Sequence, residues 1–189
     1  MKLNIGCDRS FLRNRGWVDT DLVAHASHVR IFDARRRWPF ADGSAEFVYS
    51  GHLLEHMTYP EGQSFLGEAY RVLGKGGRLR LTTPNLQTFA RMLLEPHSKE
   101  YRPYLDYQRK FVLRATPCFV VNLFLRAWGH TFLYDPSTLS EALSEAGFLD
   151  VTWHRCGESD QLELVGLEPV DRMPDGFYQL ESMTAEAIK

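Results

Sequence analysis

The sequence predicts an α/β fold with an open, mostly parallel, doubly wound sheet. Three observations carry that prediction. Short apolar runs ending near glycine or aspartate recur through the first fifty residues. A helix of 3.6-residue period follows them, and after it comes a run of period-2 alternation. Strand and helix signals thus alternate along one stretch of chain, the pattern of crossover connections in a parallel sheet.

The elements follow in order. Leu3, Asn4 and Ile5 form a short apolar strand that ends on Gly6, and residues 17–23 alternate weakly as a second. Residues 29–32 read as a third strand ending at Asp33, and residues 46–50 as a fourth. Residues 60–73 form an amphipathic helix, with Phe65, Leu66, Ala69, Tyr70 and Leu73 on one face. Pro60 suits its first turn and Gly74 its stop. Gly76 and Gly77 then turn the chain into residues 78–83, an alternating strand closed by Pro84. Asp135 caps a further helix with Pro136 at its first position; Leu139, Leu143 and Ala146 keep a helical period and Gly147 ends it. Residues 148–154 and 181–188 read as the last two strands, an antiparallel pair at the sheet edge.

Composition narrows the class. At 189 residues and 44% hydrophobic, the chain suits a single domain over 1–189 with one sizeable core. A formal net charge of −2 gives no pull toward nucleic acid or anionic membrane, and the arginines at 35–37 are too few to change that. Cys7, Cys118 and Cys156 are scattered, with neither a metal-ligand spacing nor a disulfide framework, so no metal is expected and a reducing compartment is. The most apolar run, 118–125, is far short of the ~20 residues of a membrane span. The N-terminus enters a strand at once, without the apolar stretch of a signal peptide. The expectation is a cytoplasmic protein.

In such sheets ligands bind beyond the carboxyl ends of the strands. Gly6 follows the first strand, where a ligand needs close backbone approach. Asp21 ends the second, where a carboxylate can accept from both vicinal hydroxyls of a ribose. Asp33 ends the third and is placed to accept from an exocyclic amine such as that of adenine. A dinucleotide would need several glycines so that its pyrophosphate could lie against bare amides. Here the loop carries Gly6, Cys7 and Asp8: one glycine, and an acid opposed to an anion. That disfavours a dinucleotide oxidoreductase and suits S-adenosylmethionine, which has adenine and ribose, no phosphate, and a positive sulfonium.

The same residues carry a family resemblance. Residues 2–7 followed by 16–22 resemble the first motifs of the class I S-adenosylmethionine-dependent methyltransferases, whose fold is Rossmann-like. Residues 38–44, 53–57 and 70–79 are similar to later motifs of the branch related to ubiquinone and menaquinone biosynthesis enzymes. Gly147 and Phe148 fit the pair that precedes the penultimate strands of that branch. Residues 130–135 resemble a motif of small predicted methyltransferases. The resemblance implies a cofactor pocket formed by Asn4, Gly6, Cys7, Asp21, Leu22, Asp33, Ala34, Ser50 and His52, with Ser50 and His52 at the methionine end. Two departures stand out: Asp8 replaces a second glycine, and Asn4 replaces an acidic residue. They leave open a second reading, an inactive methyltransferase fold serving as a binding or assembly module. The chain also starts at the first strand, without the helix that often covers the cofactor, so weaker cofactor affinity or a cover from another segment is expected.

Methyl transfer from a sulfonium needs collinear positioning and, for a hydroxyl acceptor, a base near neutral pH, typically histidine. His52 and His130 are the catalytic candidates, and His56, Phe89 and Tyr134 the candidate acceptor contacts. There is no Asn/Asp-Pro-Pro-Tyr/Phe motif after the fourth strand, where methylation of a base amino group would use it. The acceptor is therefore expected to be a small molecule and not a nucleic acid. Residues 86–132 read as a helical cap dense in aromatics, with a helix starting at Thr116 and Pro117. Its rings form a small core of their own, a lid over the acceptor, or the apolar face of a homodimer.

Overall fold

The computed structural model describes residues Met1–Lys189. Seven strands form one sheet: β1 (Lys2–Ile5), β2 (Trp17–Asp21), β3 (Arg30–Ile31), β4 (Ala45–Gly51), β5 (Leu73–Pro84), β6 (Leu149–His154) and β7 (Ser182–Ile188). Their order is β3-β2-β1-β4-β5-β7-β6. The first five pair in parallel. β7 runs antiparallel to both β5 and β6, so the reversed strand lies one place inside the edge.

Alternation along β5 and β7 gives the sheet two unlike faces. Leu79, Leu81, Ala185 and Ala187 point into the main core beneath α1 (Tyr59–Val72) and α5 (Pro136–Glu145). Phe65, Leu66 and Ala69 of α1 and Leu139, Ala142 and Leu143 of α5 close that side. Fully burying a large apolar side chain contributes about 1.5–3 kcal/mol, and this layer holds most of them. Both helices start as their sequences dictate. Glu61 accepts from the Thr58 backbone N–H at 2.9 Å, and Asp135 accepts from the Thr138 N–H at 2.8 Å. α1 stops at Val72, two residues before Gly74, because Leu73 already pairs with Ala45; a register irregularity then brings Phe47 opposite Arg78.

The opposite face carries fewer helices. The connections from β1 through β4 contain no α-helix. That face is covered instead by a small cluster of Leu12, Trp17, Tyr49, Leu164 and Leu167 and by the long connection between β6 and β7. Beneath that connection Arg80, Thr82, Thr184 and Glu186 are buried, and a buried charge must be paired. Arg80 donates to the two carboxylate oxygens of Glu168 at 2.8 and 2.7 Å and to Glu186 at 2.5 Å. The Glu158 carbonyl, at 2.9 Å, takes a further bond from the guanidinium. Thr82 and the Gly157 N–H supply two more donors to Glu168, at 2.9 and 2.7 Å. Burial pushes the Glu168 carboxyl up, but Arg80 outweighs it and holds the group below its ordinary range.

A second core lies beyond the carboxyl end of β5. There α2 (Leu86–Leu94), α3 (Arg102–Gln108) and α4 (Pro117–Arg126) pack through Phe89, Met92, Tyr104, Leu105, Val120 and Phe124. Met173, Phe177 and Leu180 pack against the same cluster from the β6–β7 connection, which ends in the short α6 (Phe177–Glu181). The cap thus has two parts distant in sequence, of which only 86–132 was legible. No helix is long and apolar enough to cross a membrane.

Removing Arg80 leaves two buried carboxylates without a guanidinium, with only His154, 3.6 Å from Glu186, nearby. Arg80→Met is expected to cost about 3–5 kcal/mol and to lower the melting temperature by roughly 10 °C. Adding Glu168→Leu and Glu186→Met should recover most of that loss. Thermal melts followed by circular dichroism check both; an unshifted Arg80→Met melt would show that the network carries no stability.

Candidate active site

β2 and β4 flank β1 on opposite sides, so the strand order reverses between β1 and β4. Two cavities open there, beyond the carboxyl ends of the strands. The first, about 180 Å3, is bounded by Gly6, Asp21, Asp33, Leu53 and His56. The second, about 440 Å3, is bounded by Gly6, Cys7, His52, Arg172, Tyr178 and Glu181. Gly6 and His56 border both, so the cavities are neighbours across the end of β1.

The first cavity is shaped by the strand-end residues. Gly6 has φ +70, which favours glycine, and a β-carbon there would push the tip of the Leu53 side chain aside, at 2.6 Å. Asp21 accepts from the Asp8 N–H at 2.8 Å and the Val23 N–H at 3.1 Å, pinning the loop after β1 while its carboxylate still borders the cavity. Leu22 and Ala34 line the same space. Asn4 and Cys7 border the second cavity. Burial and the charges of Asp21 and Asp19 push the Cys7 thiol up to about 12, so it stays protonated and is no nucleophile.

The two departures from the family pattern have local reasons. Asn4 donates to the Asp19 carboxylate at 2.7 Å and to the Ser10 carbonyl at 3.0 Å. Asp19 also accepts from the N–H groups of Leu12 and Arg13. An acid at position 4 would set a second buried carboxylate against Asp19. Asp8 adopts φ +43, and its side chain is 71% exposed, so it leaves the cavity open.

Four expectations need correction. Asp33 borders the first cavity, but Arg35 engages both its carboxylate oxygens, at 2.8 and 2.9 Å, and holds its carboxyl down to about 2. An adenine amine would share that carboxylate with Arg35. Ser50 is buried and donates to the Ile5 carbonyl at 2.9 Å, tying β4 to β1 away from either cavity. Phe89 is buried at the centre of the cap core. Tyr134 is buried in the main core, with its hydroxyl facing Gly62. Neither ring reaches a cavity.

The histidines do converge. His52 adopts φ +52, unusual for a residue with a side chain, and places its ring between Glu55 and Ser182. Nδ1 lies 3.0 Å from Glu55 Oε1, and Nε2 lies 3.2 Å from Ser182 Oγ. Tyr178 packs edge-on against the ring at 5.5 Å. Glu55 is fully buried and also accepts from Thr83 at 3.1 Å. Burial disfavours the positive form of His52, but Glu55 outweighs it and raises the pKa above the ordinary 6.5. Glu55 is therefore the partner of His52 and not of its neighbour His56. His56 packs edge-on against His130 at 4.9 Å. His130 places Nδ1 2.6 Å from the Phe124 carbonyl, which fixes the proton there and leaves Nε2 as an acceptor; burial pushes its pKa down. Donor atoms of Glu55, His56 and His130 lie within 4.8 Å of one another. Both Glu55 oxygens are engaged by His52 and Thr83, and no side-chain hydrogen bond links the trio to one another.

Arg172, Tyr178 and Glu181 were not legible. They lie in or at the end of a stretch, 155–180, without hydrophobic period, and only the tertiary path of that stretch brings them over the site.

Comparison with known proteins agrees with this layout. A methyltransferase domain model matches residues 13–81, beginning just after the Gly6 loop. None of the curated proteins matches the sequence. Among solved structures, an S-adenosylmethionine-dependent methyltransferase from Archaeoglobus fulgidus is similar, with a TM-score of 0.61 and 16% identity over 100% of this chain and 85% of that one. One from Mesorhizobium loti has a TM-score of 0.61 and 14% identity over 100% of this chain and 90% of its own. Phosphoethanolamine N-methyltransferase 2 from Haemonchus contortus, solved with S-adenosylmethionine, has a TM-score of 0.53 and 15% identity. All of this chain aligns with only 48% of that protein. The fold is that of the S-adenosylmethionine-dependent methyltransferases.

The His52–Glu55 pair makes a pH prediction. The raised His52 pKa contributes stability fully below 6.5 and loses it as pH rises through the folded value. Glu55, held below its ordinary 4.5, contributes above that value and loses it as pH falls through its own folded value. The pair is therefore fully formed between 4.5 and 6.5. NMR titration of the His52 ring should give a midpoint above 6.5, falling clearly in Glu55→Gln, where only the charges of Glu181 and Glu168 still oppose burial. An unmoved midpoint in Glu55→Gln would dissolve the pair.

Proposed function

We propose that the protein binds S-adenosylmethionine across the two cavities and transfers its methyl group to an oxygen or nitrogen atom of a small molecule. The observation that carries this reading is the pair of cavities meeting at Gly6, with Asp21 at the end of β2. The donor set fits that cofactor. Asp21 would accept from the ribose hydroxyls, and the one-glycine loop with its Asp8 offers nothing to a pyrophosphate. Arg172 borders the second cavity without an acidic partner and would take the carboxylate of the methionine end. Asn4 and Asp8, the grounds for an inactive module, leave the cavities open, which supports the active reading.

The cofactor supplies an already activated methyl group. The chain's part is positional: the cap and the β6–β7 connection cover the site and hold the acceptor in line. His52, backed by Glu55, would take the acceptor's proton, and neutral His130 faces the same space from α4's end.

Asp21→Ala and Arg172→Ala should each weaken S-adenosylhomocysteine by about tenfold or more, the effect of losing a charge-assisted hydrogen bond. Calorimetric titration of folded variants reads this directly. Wild-type protein that binds neither cofactor form would remove the proposal.

A further inference from the structure

A third cavity, about 300 Å3, lies under the cap and shares His52, Met173 and Glu181 with the second. Its outer wall is aromatic: Tyr107, Phe111, Phe124 and Trp128. Two of these rings are unexplained by the fold. Phe111 is 52% and Trp128 53% exposed, so neither completes a core. Trp128 moreover adopts φ +55, a left-handed conformation that costs a bulky residue about 1–3 kcal/mol. Burial does not offset that strain; what it achieves is to hold the indole beside Phe124 and His130, each with its ring 5.5 Å away.

The inner wall is acidic. Glu181 is about nine-tenths buried, yet no lysine, arginine or histidine nitrogen lies within 4.0 Å of its carboxylate. Its donors are neutral: the Tyr104 hydroxyl at 2.6 Å and the Gln108 amide at 3.5 Å. Glu168 and Glu186, the buried acids of the opposite face, share the Arg80 guanidinium, and buried Glu55 has the His52 ring; Glu181 has neither kind of partner. Burial pushes the Glu181 carboxyl up, the direction expected of an acid that lacks its cation. Aromatic faces beside an unmatched carboxylate form a site for a cation. The same rings already receive a cation on one side: the Lys110 ammonium lies 3.5 Å from the Tyr107 ring centroid and 5.0 Å from that of Phe111.

We propose that this cavity takes an amine as the methyl acceptor, with Glu181 as the counter-ion of its ammonium and Phe111 and Trp128 against its carbon skeleton. The assignment rests on the methyltransferase reading above and names the substrate class of that site. The bound ammonium first gives a proton to His52, which shares the cavity and is backed by Glu55. The neutral nitrogen then forms the new bond to the methyl carbon with its lone pair. As it does so the carbon–sulfur bond breaks, and sulfur keeps the electron pair as a neutral thioether. The product is an N-methylammonium.

The test uses three probes of one shape and different charge: 2-phenylethylamine, 2-phenylethanol and 3-phenylpropanoate. Each is titrated calorimetrically into the full chain, with and without S-adenosylhomocysteine. The amine should bind about tenfold more tightly than the alcohol, and the acid most weakly. Glu181→Gln, which keeps a polar group for Tyr104, should abolish the amine's advantage and leave the alcohol unchanged. Trp128→Ala, at an exposed site that tolerates truncation, should weaken amine and alcohol together. The assignment is overturned if the alcohol or the acid binds as well as the amine, if none of the three binds, or if Glu181→Gln leaves the preference intact. The S-adenosylhomocysteine titration stands apart: its failure sinks the methyltransferase reading, while an amine preference would still locate the cation site.

Discussion

The buried guanidinium of Arg80 organises one whole side of the molecule. It stands on the face of β5 that the hydrophobic alternation leaves polar, where it would be costly without partners. Its partners come from two places far apart in the chain: Glu186 on β7 and Glu168 in the β6–β7 connection. Because Glu168 must stay with Arg80, that connection is clamped across the sheet. Its continuation then carries Arg172, Tyr178 and Glu181 to the carboxyl ends of β1 and β4. The stability of the second face and the composition of the site are thus set by the same ion network.

This explains which parts were legible in the sequence. The strands, α1 and α5 follow from period and punctuation, because each buries one face against its neighbours. Gly6 and Asp21 could be found because strand order and chain order fix where the strand ends lie. Asp33 was found at the right place but without its partner, since no sequence pattern reports that Arg35 folds back onto it. Phe89 and Tyr134 show a similar limit: an aromatic in a cap or near a motif reads the same whether it faces a ligand or a core. Glu181 was hidden more thoroughly, because at the start of a strand it looks like an ordinary edge carboxylate. Its unmatched burial exists only in three dimensions.

Backbone strain gives an independent view of the site. Four residues with side chains have positive φ: Asp8, His52, Trp128 and Asp150. Three of them, all but Asp150, border the second or third cavity. Asp8, His52 and Asp150 are of types that tolerate the left-handed region, but a bulky tryptophan does so less readily. At His52 the strain aims an imidazole at both Glu55 and Ser182, and at Trp128 it aims an indole at the open slot. Such conformations persist only where surrounding packing holds them, and here the cap core and the Glu55 hydrogen bonds do so.

Charge conservation ties these features together. A sulfonium and an ammonium in one enclosed site repel, by about 4 kcal/mol at 4 Å and an effective dielectric of 20. Proton loss to His52 moves one of those charges without removing it, and methyl transfer then exchanges the sulfonium for an N-methylammonium. Two positive charges are therefore present at every stage. The buried carboxylates facing the acceptor side also number two: Glu55 against His52, and Glu181 against the aromatic slot. Fixed charges of that number and placement stabilise each stage without rearrangement, which is how preorganised sites lower barriers. An alcohol acceptor would leave Glu181 facing a neutral group throughout, with only the Tyr104 and Gln108 hydrogen bonds to offset the cost of its burial.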